Sequence, residues 1–123
     1  MTDYLTVAEV LAIHQDSDRT LWRFPRRQGS RLAEAALYRP QTGYYGDLIE
    51  EAAALWESLA QNHPFIDGNK RAAFAVTYTF LAINGARLTA TADETFGFIA
   101  GLYRANDFTF DKLVQWLRAN TTR

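Results

Sequence analysis

At 123 residues the chain is long enough to bury one continuous core and short enough to be one domain, expected over residues 1–123. With 48% hydrophobic and 14% aromatic residues it is not disordered, and a net charge of −1 offers no basic field for wrapping nucleic acid. Lacking cysteine, it can form no disulfide, thiolate metal site or thiol nucleophile, which fits a reducing cytoplasm. The start, Met1-Thr2-Asp3-Tyr4, carries neither the basic nor the apolar stretch of a signal peptide. The apolar stretch from Ala72 to Ile83 is broken by Thr77, Tyr78 and Thr79 and is too short to cross a bilayer. A soluble cytoplasmic protein with no membrane partner is expected.

In chain order, Thr6 with Glu9 forms a capping box that opens a first helix through Val7, Val10, Leu11 and His14 to about Gln15. His14, on its apolar face, reads as a buried, hydrogen-bonded histidine. A short second helix is expected from Leu32 to Tyr38, stopped at Arg39-Pro40 because proline disfavours helix in the residue before it. Gln41 to Gly46 reads as a loop. Asp47, with Glu50 three residues on, caps a third helix whose apolar face is Leu48, Ala52, Leu55 and Leu59, ending near Asn62. After a tight linker, Asn69 to Asn84 forms a helix with apolar residues all round its axis, which predicts a buried central position. Asn84-Gly85 is its stop. Thr91 with Glu94 opens a helix from Ala92 to about Arg104, and Thr109 caps a last one bearing Leu113, Trp116 and Leu117. No stretch alternates as a strand should. The expected fold is all-α, a bundle of about six helices around one buried central helix.

The run from His63 to Arg71 concentrates chemistry. It joins the end of one helix to the start of the next, and a helix start presents unpaired N–H groups and a positive dipole end that favour phosphate. Gly68 permits close approach of the backbone to a ligand. Lys70 and Arg71 fall in the first helical turn, where cations oppose the dipole unless an anion is their partner. Asp67 is a hard oxygen ligand suited to Mg²⁺, and His63 a base for neutral pH. Taken singly, each residue is more often a cap or a solvated charge. Five such residues within nine make up the parts list of phosphoryl or nucleotidyl transfer. Gly68-Asn69-Lys70 is not a Walker A motif, because the first glycine and its spacing are missing.

His63-Pro64-Phe65-Ile66-Asp67-Gly68-Asn69-Lys70-Arg71 resembles the signature of the Fic/Doc family, H-P-F-x-[D/E]-G-N-G-R-x-x-R in the adenylylating branch. Lys70 stands in place of the second glycine and Phe74 in place of the final arginine, departures shared with the Doc (death-on-curing) branch. The resemblance extends to Ala35-Ala36-Leu37-Tyr38-Arg39-Pro40-Gln41 before the run and Phe80-Leu81-Ala82-Ile83-Asn84-Gly85 after it. It implies His63 as the base for a target hydroxyl, Phe65 as the anchor of the loop, Asp67 as the Mg²⁺ ligand, and Gly68, Asn69, Lys70 and Arg71 as the phosphate cradle. It further implies a toxin that acts as a protein kinase, passing the ATP γ-phosphate to a hydroxyl of a translation factor, elongation factor Tu, and stopping translation. A cognate antitoxin with a disordered tail is implied as partner, with no direct nucleic-acid contact. The alternatives are AMP transfer on the same site, or a catalytically silent antitoxin-binding module. Lys70 disfavours the first because a long cation fills room that glycine left for a phosphate. Intact His63 and Asp67 disfavour the second.

Residues Asp18 to Ala33 depart from the glycine-rich turn of the Doc pattern at unchanged length. One back-translation of this stretch, read in a shifted frame, spells that turn, so a pair of compensating frameshifts would account for it. Leu21, Trp22 and Phe24 read as core or loop packing, as do Trp56 and Trp116 on their amphipathic helices. Tyr44 and Tyr45 read as packing residues, with a flap that aligns a target segment as the alternative.

Overall fold

Four α-helices make up most of the described residues of the computed structural model, which are 2–6, 8–9, 37–42, 45–62 and 69–122. A 3-10 helix, Arg39–Thr42, precedes α1 (Leu48–Asn62) and α2 (Asn69–Ile83); β1 (Arg87–Leu88), α3 (Ala92–Arg104), α4 (Phe110–Asn120) and β2 (Thr121–Thr122) follow. The mostly helical architecture is as expected. Expectations for His14, Leu21, Trp22, Phe24, the Asp18–Ala33 segment, Tyr44 and the linker His63 to Gly68 lie outside the described residues, as does all but the opening of the first helix.

The helix starts follow from local chemistry. The Thr6–Glu9 box forms: the Glu9 N–H donates to Thr6 Oγ1 at 3.2 Å and the Thr6 N–H to Glu9 Oε1 at 2.9 Å. Asp47 Oδ1 accepts the Glu50 N–H at 2.9 Å at the start of α1. That bond, then Arg118 at 2.9 Å, holds the Asp47 carboxyl below its usual range. Thr91 and Glu94 form the reciprocal box at α3, and Thr109 accepts from Lys112 at α4. Gly85, at φ +81°, turns the chain out of α2 in the left-handed region where glycine costs least.

Two differences from expectation stand out. The first is a short antiparallel ladder, Arg87 opposite Thr122 and Leu88 opposite Thr121. Two residues per strand are too few to show an alternating pattern, so periodicity could not reveal it. The second is burial. Ala52, Ala53, Ala54, Leu55, Trp56, Leu59 and Ala60 of α1 are buried, and α1 packs against the 3-10 helix, α2 and α4. On α2, Ala73, Val76, Thr77, Phe80 and Leu81 are buried while Tyr78, Ala82 and Ile83 are exposed. Burial of α2 is therefore one-sided over its described residues. The apolar character of Tyr78 misled the pattern, because an aromatic ring with a hydroxyl can serve at a surface.

Trp56 is the hub of the core, 1% exposed. Its ring lies 5.6 Å from Phe74 on α2, 6.3 Å from Phe98 on α3, and 5.9 Å from both Phe108 and Trp116 around α4. Phe98 and Trp116 stack at 4.6 Å. One indole thus ties four helices together. At the other end of α1 the segment from Thr2 to Thr6 is strapped down. Tyr4 stacks on Phe80 and its hydroxyl donates to Glu51, which raises the Tyr4 pKa. The Asn84 side chain pairs with the backbone of Asp3, accepting its N–H at 2.6 Å and donating to its carbonyl at 2.8 Å.

Candidate functional site

Between the end of α1 at Asn62 and the start of α2 at Asn69 lie six residues that carry three of the expected site groups, His63, Asp67 and Gly68. These three fall outside the described residues. Asn69, Lys70 and Arg71 are placed as expected, as the first turn of α2. Backbone N–H groups of such a turn have no partner within the helix.

That turn differs from the other helix starts. Acidic side chains, which a helix start favours, occupy the first turns of α1 (Glu50, Glu51), α3 (Asp93, Glu94) and α4 (Asp111). α2 has none, and carries Lys70 and Arg71 instead. The donor set available there fits an anion such as a nucleotide phosphate.

The start of α2 rests on the core. Ala73 is buried beside it, and Phe74 sits against Trp56 at 5.6 Å and Phe96 at 6.3 Å. The buried Thr77 hydroxyl is satisfied by the Ala73 carbonyl at 2.8 Å. From Ala73 onward α2 is thus anchored to the Trp56 cluster. Phe74, at the motif position that carries arginine in the adenylylating branch, is part of that aromatic packing.

Arg39 joins three elements near the middle of α1. It pairs with Glu57 at 2.7 Å, and donates to Ser58 Oγ at 2.9 Å and to the Tyr45 hydroxyl at 2.8 Å. Glu57 also accepts the Phe110 N–H at 2.8 Å, at the start of α4. The Tyr45 ring lies 5.6 Å from Phe110 and so takes part in packing. No local pattern links residues 18 apart; the one trace of this network in the sequence is Glu57, an acidic residue beyond the first turn of α1.

A polar cavity of about 560 Å³ is lined by Thr2, Asp3, Tyr45, Asp47, Glu51 and Asn84, among others. It sits where the start of α1 meets the end of α2, roughly 20 Å along α1 from that helix's end at Asn62.

Residues 4–81 match the model of the Fic/DOC family, a span of more than half the chain that contains the whole run from His63 to Arg71. The chain belongs to the Fic/DOC family. Over 67 residues it is 51% identical to Toxin Doc of Mycolicibacterium smegmatis, an alignment covering 50% of this chain and 52% of that protein. The chain thus spans about half the length of this curated relative. No solved structure matches it. Among the described residues no helix is long and apolar enough to cross a membrane.

Proposed function

We propose that this Fic/DOC protein is the toxin of a toxin–antitoxin pair and a cytoplasmic protein kinase of the Doc type. The observation that carries the proposal is the cationic, acid-free first turn of α2, inside a span that matches the family and bears its motif. Similarity to a protein named Toxin Doc supports the toxin assignment. The whole domain is taken as the family bundle of about six helices, four of which are described.

In this reading Gly68, Asn69, Lys70 and Arg71 hold the phosphates of ATP at the helix start. His63 takes the proton from a hydroxyl of the acceptor protein, assigned as elongation factor Tu. The hydroxyl oxygen then bonds to the γ-phosphorus as its bond to the bridging oxygen breaks, and ADP departs with the electron pair. Asp67 supplies a hard oxygen ligand for Mg²⁺, which when bound neutralises charge on the phosphates. Two features favour γ-phosphate over AMP transfer. Lys70 occupies the motif position where glycine leaves phosphate room, and Phe74 replaces a cation with a ring packed on Trp56. A cognate antitoxin with a disordered tail completes the pair.

The test is transfer from ATP labelled at the γ- or the α-phosphate, with Mg²⁺, a bacterial translation extract and His63→Ala as control. Passage of γ-label to a protein of the size of elongation factor Tu, lost in the variant, is expected. Passage of α-label alone would replace the kinase with an AMP transferase. Transfer of neither label would leave a silent antitoxin-binding module.

A further inference from the structure

We propose that the outer face of α3 is a self-association surface, on which a second copy of this chain lays its own α3 in the antiparallel sense. Asp93, Gly97, Ala100 and Arg104 recur at i, i+4, i+7 and i+11 along one stripe of the helix, flanked by Phe96, and all five are exposed. Phe96 is 51% exposed, and with Tyr78, 48% exposed, it extends the aromatic contacts of Phe74 to the surface. Phe96 and Tyr78 thus give this side of the molecule an exposed aromatic patch beside small residues.

Charge placement selects the partner. Among the described residues neither Asp93 nor Arg104 takes part in an ion pair. They stand at opposite ends of the stripe, Asp93 in the first turn and Arg104 in the last. A twofold axis between residues 98 and 99 sets Asp93 of one copy against Arg104 of the other, twice per dimer, and Gly97 against Ala100. Parallel pairing would set like charges together. Antiparallel helix dipoles add to the preference.

Gly97 points the same way. A Cβ built there meets nothing within 4 Å, so packing inside the molecule does not call for glycine. Glycine within a helix costs stability relative to alanine, and a close helix–helix approach is what its missing side chain permits. α3 has 13 residues, a length of roughly 20 Å, so the contact is small and the dimer weak, in the micromolar range or above.

The experiment is sedimentation velocity on the full chain from roughly 10 µM to 1 mM at low salt, with the thermal midpoint of each variant recorded. A reversible dimer is expected. Asp93→Arg and Arg104→Asp should each raise its Kd about tenfold, and the double swap should return it to within about threefold of the parent. Gly97→Leu should abolish the dimer without lowering the thermal midpoint, because its Cβ enters open space in the monomer. A monomer at every concentration would overturn the proposal. So would a dimer indifferent to Gly97→Leu, or one in which the two charge changes add rather than cancel.

Discussion

α1 and α2 are both 15 residues long and pack on each other, yet they begin in opposite ways. α1 starts as a helix built for stability should. Asp47 caps it, Glu50 and Glu51 sit at the positive end of its dipole, and Arg118 pairs with Asp47 and Glu50 from α4. α2 starts with two cations and no acid, although the rest of it is held by the Trp56 cluster. A helix start that forgoes local stabilisation while its body is well packed is the feature on which the proposed phosphate site rests. Local rules broken beside a sound core mark a site, and rules obeyed mark scaffold.

That contrast can be broken at several points. Trp56→Ala should have the largest effect on the scaffold, costing ~3–5 kcal/mol in denaturant unfolding, because four helices lose their common contact. Loss of less than ~1 kcal/mol would mean the cluster is not the hub. Arg39→Ala should cost ~1–3 kcal/mol, since Glu57 is left partly buried without its cation and the Phe110 cap is weakened. Thr91→Ala should cost about 1 kcal/mol through loss of the α3 cap, with no change in any transfer activity. The smallest effect concerns acid. The Asp47 pKa is depressed in the folded state, so its contribution is present above the unfolded value of 3.8 and lost as pH falls through the folded one. Asp47→Asn should flatten the slope of stability below pH ~4, by no more than ~0.5 kcal/mol because the group is half exposed and solvent-screened. An unchanged slope would remove Asp47 from the acid response.

The scaffold was largely legible in the sequence because its signals are local. The boxes at Thr6 and Thr91, the caps at Asp47 and Thr109 and the stop at Gly85 act within four residues of themselves, and they place the starts of α1, α3 and α4 and the end of α2 to within a residue. Longer-range features were not legible. The Arg39–Glu57 pair and the β1–β2 ladder join distant positions, and nothing near either partner announces the other. The 3-10 turn that carries the chain through Pro40 instead of ending at it belongs to the same class, since Arg39 is held there by α1. The greater burial of α1 than of α2 reflects the exposure of Tyr78, Ala82 and Ile83 on α2. Of the candidate site, the sequence motif predicted the placement of Asn69, Lys70 and Arg71 at a helix start. The roles of His63, Asp67 and Gly68 rest on the motif itself.

The most direct test of the contrast is thermal unfolding of Lys70→Ala/Arg71→Ala, with and without Mg-ATP. If the first turn of α2 is a phosphate site, the double variant should unfold at the same or a higher temperature than the parent when no nucleotide is present, because two cations leave the positive end of a helix dipole. It should also lose the upward shift that Mg-ATP gives the parent, a shift that reports binding to the folded state. A lower midpoint without nucleotide, together with an undiminished shift on adding it, would make Lys70 and Arg71 part of the scaffold and move the phosphate site elsewhere.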